Sequence, residues 1–173
     1  MKKGLIVFLF VFVVLGSCAT NDMERVAMNP VYSTFEGTRE SIDGSLHYTR
    51  LIIARDKVER SHNDNLTLDR FTHNNLTVYN ITLQLGGYSW RFYDELKIKI
   101  DNGEVITLKD SNPNRVVEGA YSTGVWVTEY VNFILDNELV QSLKNCTNLM
   151  FQYGSKLKTI PPEGINAIKN FIQ

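Results

Sequence analysis

The segment from Leu96 to Lys109 constrains the fold of this chain more than any other. Its apolar residues at positions 96, 98 and 100 alternate with polar or charged ones, the pattern of a strand with one buried face. Asp101-Asn102-Gly103 interrupts the alternation before a second run, from Glu104 to Lys109. Because an Asn-Gly pair favours a tight turn with positive φ, we predict a hairpin whose first strand extends from Ser89 to Asp101.

Other segments show the β-branched and aromatic enrichment of strands. We predict strands over residues 46–53, 76–85, 125–135 and 149–153. In the second of these, Asn80, Thr82 and Gln84 make one face mixed rather than apolar. Residues 60–75, RSHNDNLTLDRFTHNN, predict a long polar loop around one short strand.

Two helices are expected near the end of the chain. Asp136 suits an N-cap for a helix through about Cys146, and the second helix begins near Pro161 or Pro162. The element order therefore predicts a mainly β fold with α: an antiparallel β-sandwich or curved sheet with one or two packed helices, the last at the C-terminus.

The first residues have the layout of an export signal. Lys2 and Lys3 precede an uncharged apolar run over residues 5–15, which is shorter than the roughly 20 residues that a membrane-spanning helix needs. A positive start, a short apolar run and small residues at its end are typical of a secretory signal peptide.

The sequence Leu15-Gly16-Ser17-Cys18 resembles the lipobox of bacterial lipoproteins. The resemblance covers the first 18 residues only. It implies that Cys18 receives a diacylglycerol thioether, that the chain is cut before it, and that the new amino group is acylated. An ordinary signal peptide cut near Ser17 or Ala19 is the alternative. Ala19 resembles the outer-membrane sorting pattern of two-membrane bacteria; with one membrane, the outer face of the plasma membrane is expected.

This interpretation sets the expected domain organisation. Residues 1–17 are a signal peptide, 18–30 a lipidated cysteine and tether, and 31–173 one β-rich domain. Loss of Lys2 and Lys3 would change the net charge from −1 to −3, which predicts no nucleic-acid partner. Cys146 would then be the lone thiol, and its apolar neighbours predict that it is buried and inert.

The sequence contains no recognisable catalytic motif, and we expect no enzyme activity, no metal and no cofactor. A zinc site from His62, His73 and Asp64 or Asp69 is the metal alternative. The stretch from Asp110 resembles the start of an EF-hand loop, but Arg115 replaces the required glycine and Tyr121 the final glutamate. For a hydrolase, the candidate carboxylates that no pattern singles out are Asp94, Glu95, Glu118 and Glu129.

Aromatic residues supply the candidate ligand surface: Trp90, Arg91, Trp126 and Tyr130. We predict Trp90 on a strand, and Trp126 on a solvent-facing side shared with Thr128, Tyr130 and Asn132. Such a platform suits a sugar, peptide or lipid. Alternating aromatics also build sheet cores, so the sequence leaves core and binding surface open.

The functional hypothesis is a lipid-anchored protein of the bacterial cell envelope, with a non-enzymatic binding or scaffolding domain. Its partners would be the membrane, through the lipid on Cys18, and an envelope protein or a glycan. Two alternatives stay open. One is an envelope hydrolase with a dispersed site, and the other is an inhibitor or immunity-type protein that uses residues 60–75.

Overall fold

The computed structural model describes residues 30–41, 44–58, 62–74, 76–110, 112–121 and 124–173. The predicted signal peptide and lipidation site, and the tether up to residue 29, lie outside these residues. The described elements, in chain order, are β1 (Thr34–Ser41), β2 (Gly44–Val58), β3 (His62–His73), β4 (Leu76–Gly87), β5 (Glu95–Ile100), β6 (Val105–Lys109), β7 (Asn114–Tyr121), β8 (Gly124–Ile134), α1 (Asn137–Asn145), β9 (Leu149–Tyr153), β10 (Lys156–Ile160) and α2 (Pro162–Phe171).

The strands form two antiparallel sheets. The larger has six strands in the order β1-β2-β3-β4-β8-β7, and the smaller has four in the order β10-β9-β5-β6. Both helices lie late in the chain, α2 at its C-terminal end. The predicted class, mainly β and antiparallel with packed helices, is confirmed. Within the described ranges, no helix is long and apolar enough to cross a bilayer.

The core lies between the large sheet, the small sheet and the helices. Alternate residues of the large sheet face it, because side chains along a strand point to opposite faces. The side chains that meet there include Leu51, Leu66, Leu68, Ile81, Leu83, Val131 and Phe133 of the large sheet, Leu96, Ile98 and Phe151 of the small one, and Leu143, Ile165, Ile168 and Phe171 of the helices. Each such burial stabilises the fold by about 1.5–3 kcal/mol.

The two helices begin where the sequence predicts. The carboxylate of Asp136 accepts a hydrogen bond from the Leu139 amide at 2.8 Å and caps α1, and Pro162 opens α2. Cys146 ends α1 and is fully buried, as expected. Burial raises the pKa of its thiol above the ordinary value, which keeps the thiolate population small.

The prediction of a polar loop over residues 60–75 is wrong. Residues 62–73 form β3, which pairs with β2 on one side and β4 on the other. Its Asn and Asp residues are typical of turns, but here neighbouring strands supply hydrogen-bond partners and override the local preference. Three further strands were not predicted: β1, β7 and β10.

The hairpin of β5 and β6 is confirmed, but its first strand begins at Glu95 instead of Ser89. In its turn, positive φ falls on Asp101, at 50°. The Asp101 carboxylate accepts hydrogen bonds from the hydroxyl and the amide of Thr147 and from the amide of Asn148, which lower its pKa. This tertiary contact holds the turn in place of the local Asn-Gly preference.

Candidate functional site

The large sheet has a second face, opposite the core, where most of the buried side chains are polar; Ile52, in register with Thr67, is a buried apolar exception. We call it the polar face. It comprises Arg50 and Arg55 of β2, Asn65, Thr67 and Asp69 of β3, Asn80, Thr82 and Gln84 of β4, and Trp126, Thr128, Tyr130 and Asn132 of β8. All but Arg55, Trp126 and Asn132 are more than nine-tenths buried. The mixed face seen in the sequence of β4 is therefore interior, and the prediction of a solvent-facing side around Thr128 and Tyr130 is wrong.

One hydrogen-bond network of the polar face starts from a buried ion pair. Arg50 binds Asp69 with two nitrogens, Nε to Oδ1 at 2.5 Å and Nη2 to Oδ2 at 3.0 Å. The Thr82 hydroxyl donates to Asp69 Oδ2 at 2.7 Å. Asn80 Nδ2 donates to Thr82 Oγ1 at 3.1 Å and to Asn132 Oδ1 at 3.3 Å. The network joins four strands.

A second network starts from Arg55. Its Nε donates to Asn65 Oδ1 at 3.2 Å, and Asn65 Nδ2 donates to Gln84 Oε1, also at 3.2 Å. An arginine can only donate, so Asn65 must accept with its oxygen and donate with its nitrogen. Gln84 is thereby fixed with its oxygen towards Asn65, and its NH₂ group is directed elsewhere.

The contacts of Asn80 give its orientation. Its Nδ2 donates to Thr82 Oγ1 and to Asn132 Oδ1, so the oxygen of Asn80 is directed elsewhere. The Thr82 hydroxyl lies within hydrogen-bond distance of Asp69 Oδ2, at 2.7 Å, and of Asn132 Oδ1, at 3.0 Å. It has a single proton and donates to one of these oxygens at a time, so Arg55 sets the polarity of the second network only.

Hydrogen-bonding atoms without a partner concentrate on this face. Among the described residues, five buried side-chain atoms lack one, and four of them belong to this face or its continuation: Asn63 Oδ1, Thr67 Oγ1, Asn80 Oδ1 and Gln84 Nε2. The fifth is Glu118 Oε1, at the irregularity of β7. Buried polar groups are nearly always paired, so such a cluster calls for a physical explanation.

The unpaired atoms form a row along the centre of the sheet. Thr67 lies opposite Thr82, which is midway between Asn80 and Gln84 on β4. At about 3.4 Å per residue, Asn80 and Gln84 are about 14 Å apart along the strand. With Asn63, which lies opposite Gly86 beyond Gln84, the row presents an acceptor oxygen at each end, and the Thr67 hydroxyl and the Gln84 NH₂ group between them.

Aromatic side chains flank this row at both ends. Trp126 lies against Gly86, where an added Cβ would be 3.1 Å from Cζ2 of the indole, and Tyr88 contacts it edge-on at 5.2 Å. Tyr130 pairs in register with Gln84 and is buried. At the opposite end, Tyr48 and Phe71 form a small apolar cluster.

The predicted surface residues thus separate into two places. Trp126 and Tyr130 lie on the polar face. Arg91 bonds instead to Asp64, whose strand position faces the core side, and to the Gly86 carbonyl at 2.8 Å. Trp90 lies in the irregular segment 88–94, with its ring 6.5 Å from that of Phe92.

Glu129 anchors that irregular segment. Its buried carboxylate accepts hydrogen bonds from the backbone amides of Arg91 and Phe92 and forms an ion pair with Arg115 at 3.0 Å. Phe92 is held with φ at 55° and is 63% exposed, with the Arg115 guanidinium 4.9 Å from its ring centre. These contacts explain why the strand predicted from Ser89 begins only at Glu95.

A network of charged side chains lies next to the irregular segment 88–94, because Asp64 contacts both Arg91 and Lys156. Lys156 contacts both Asp64, at 2.6 Å, and Asp56, and Lys158 contacts Asp56 at 2.5 Å. Burial acts to raise the pKa of Asp56, but the two ammonium groups outweigh it and hold that pKa below its ordinary value. The network links β2 and β3 to β10, and so joins the two sheets.

The other predicted sites are not assembled. His62 and His73 occupy the two ends of β3. Within the described ranges, no group of three or more His, Cys, Asp or Glu residues could hold a metal ion.

Asp110 forms a turn by accepting from the Asn112 amide at 2.9 Å, and its other oxygen accepts from the Asn132 amide. Of the candidate carboxylates, Glu129 is ion-paired and Glu95 pairs with Lys109 at the surface.

A groove of about 510 Å³ lies on the core side of the large sheet, towards the chain's C-terminal end. Its lining is mostly polar and includes Thr49, Arg70, Thr72 and Thr77. Arg70 donates to the Thr49 hydroxyl at 3.3 Å and packs over Phe171. Arg70 is thus engaged both in a hydrogen bond within the sheet and in packing against α2.

The chain matches no protein-family model, and no curated protein matches it either. One solved structure that resembles it is the invasion associated protein B of Bartonella henselae. The two share 9% sequence identity with a TM-score of 0.37, over 83% of this chain and 92% of that one.

Proposed function

We propose that this protein is a lipid-anchored binding protein of the bacterial cell envelope, and that its polar face is the ligand site. The anchor is the lipid on Cys18. The domain acts by binding and not by catalysis, and the membrane and one polar ligand are its partners.

The unpaired atoms of Thr67, Asn80 and Gln84 carry the assignment of the site. A buried polar atom without a partner costs roughly 1–3 kcal/mol, and a bound ligand that supplies the missing partner recovers that cost. The paired atoms around the row keep its side chains in fixed orientations, so little ordering is needed on binding.

The ion-paired carboxylates support a binding role. Asp69 is held by Arg50, Asp64 by Arg91 and Lys156, and Glu129 by Arg115. A general acid or base must instead exchange protons with a substrate. The inhibitor alternative depended on a projecting loop over residues 60–75, but residues 62–73 form the interior strand β3.

The site is tested by the thermal stability of the full chain, with a protein-free, low-mass fraction of envelope extract as the probe. A ligand that binds only the folded state raises Tm by mass action. We expect the fraction to raise Tm of the wild-type protein and of Thr107→Val, an exposed threonine on β6. Thr67→Val should lose most of that rise. An equal rise in all three proteins would place the ligand elsewhere and overturn the assignment.

The anchor is tested separately by metabolic labelling with an alkynyl fatty acid. Cys18→Ala should abolish labelling and leave an uncut precursor, because the lipid is attached to that thiol. Cys146→Ala is the matched control and should label normally. Labelling that persists in Cys18→Ala would refute the lipobox interpretation.

A further inference from the structure

We infer that the ligand of the polar face is a neutral oligosaccharide; this inference rests on the proposed function of that face.

The charged groups of the polar face are already neutralised or engaged. Arg50 and Asp69 satisfy one another through two hydrogen bonds. Arg55 donates to Asn65. A charged ligand would have to compete with these contacts, whereas a neutral one leaves them intact. Burying an unpaired charge is far more costly than burying a paired dipole, so a charged ligand that gains no partner of opposite charge on this face is disfavoured.

The free groups require a ligand that both donates and accepts. Asn80 offers an oxygen, Gln84 an NH₂ group and Thr67 a hydroxyl, over about 14 Å of sheet. A sugar hydroxyl donates one hydrogen bond and accepts others, so successive hydroxyls match this sequence of groups. The length of the row corresponds to more than one sugar ring.

Trp126 supplies the apolar contact that such a ligand needs. The sugar ring has C–H groups on its faces, and these pack against an aromatic surface. Trp126 is half-buried, lies against Gly86, and sits at the Gln84 end of the row. A Cβ at Gly86 would lie 3.1 Å from Cζ2 of the indole, so any larger residue would require the indole to shift slightly.

An extended peptide fits this site less well. Peptides that add to a sheet use the backbone of an edge strand. The free groups here are side chains on the face of two interior strands, β3 and β4. Trp126 and Asn132 of β8 are only half-buried. A ligand would therefore reach the polar face from the β8 side, past the indole of Trp126.

The test uses the full chain in lauryldimethylamine oxide, a detergent without a sugar head group. The probes are cellotriose, maltotriose and chitotriose, with trialanine amide for comparison. Binding is followed by NMR through the side-chain NH₂ of Gln84 and the indole N–H of Trp126. We expect at least one trisaccharide to shift both signals, and Thr67→Val to weaken its affinity about tenfold. Thr107→Val should bind like the wild type.

The outcomes separate this inference from the proposed function. If trialanine amide shifts the two signals and no trisaccharide does, the polar face is a ligand site and the saccharide class is wrong. If a trisaccharide binds without moving either signal, both the site and the inference are wrong. If no trisaccharide binds at millimolar concentration, the saccharide class is refuted, while the extract experiment still decides the site.

Discussion

On one face of the large sheet, Leu66, Leu68, Ile81 and Leu83 pack against the helices and the small sheet. On the other face, the residues between them in sequence, such as Thr67 and Thr82, are buried to a similar extent. Strands β3 and β4 therefore have two buried faces, one apolar and one polar. Substitutions at adjacent positions can test the contribution of each face.

The apolar face gains stability in proportion to buried area and needs no exact geometry. The stability of the polar face depends on the direction of each hydrogen bond. A paired hydrogen bond there contributes a net of about 0.5–1.5 kcal/mol, and an unpaired atom costs about as much or more. Well-packed apolar side chains would serve stability at least as well as buried charges. Stability alone therefore does not account for the polar face, which is consistent with the binding role proposed for it.

The largest effect is expected at the ion pair of the polar face. Asp69→Ala leaves the Arg50 guanidinium, only 9% exposed, without its carboxylate and removes the acceptor for Thr82. We expect the free energy of unfolding to fall by about 3–5 kcal/mol, measured by urea denaturation. Lys109→Ala, which removes an exposed pair with Glu95, is the control and should change it little. Comparable losses in the two variants would mean that the polar network carries little stability.

A cavity on the apolar face should cost slightly less. Leu83→Ala removes a fully buried side chain on the core side and should lower the free energy of unfolding by about 3 kcal/mol. Because the substitution leaves the polar face unchanged, the rise in Tm on adding the envelope fraction should match that of the wild type. Loss of that rise, at a temperature where the variant is folded, would show that the two faces are coupled.

Alternation of residue types was enough to predict several strands that contribute to the apolar face, but not β3, which supplies Leu66 and Leu68, or β10, which supplies Ile160. The positions of Leu96, Ile98 and Ile100 predict a hairpin with a buried side, and the structure contains it. Asp136 and Pro162 mark the helix starts correctly because capping is a local property. These features depend on neighbours in sequence, so the sequence reveals them.

The polar face was visible only in part. The alternation of Asn80, Thr82 and Gln84 showed a mixed side, and Trp126 and Tyr130 were correctly grouped on one face of β8. The sequence does not show that Asp69 pairs in register with Asn80, so its composition predicts a loop over residues 60–75. Strand register is a long-range property, and the burial of β3 follows from it.

Arg91 and Trp90 were misplaced for a related reason. The aromatic alternation from Tyr88 to Phe92 predicts a strand, but Glu129, 38 positions after Arg91, caps the Arg91 amide and interrupts it. The signal for this contact is one glutamate in a strand that is otherwise mostly β-branched and aromatic. The sequence alone does not show that this glutamate lies beside the backbone amides of Arg91 and Phe92.

The two facing threonines of the polar face allow the finest comparison. Thr82→Val removes the hydroxyl that donates to Asp69 and accepts from Asn80, and leaves an oxygen of Asp69 with one partner fewer. We expect the free energy of unfolding to fall by about 2 kcal/mol in urea denaturation. Thr107→Val on the exposed strand β6 is the control. An unchanged value for Thr82→Val would mean that this network contributes nothing to stability.

Thr67→Val should have the opposite sign, and a smaller magnitude. Thr67 is 2% exposed, and its hydroxyl has no hydrogen-bond partner. Removing the hydroxyl therefore removes the cost of its desolvation and breaks no hydrogen bond. A methyl group of similar size fills the space, and valine suits a strand interior. We expect the free energy of unfolding to rise by about 1 kcal/mol and Tm by about 2–4 °C. The slope of the urea transition should stay the same.

The same variant should bind ligand more weakly, so stability and binding change in opposite directions at one atom. If Thr67→Val instead destabilises the protein as Thr82→Val does, its hydroxyl has a structural partner, and the polar face loses the middle of its proposed row.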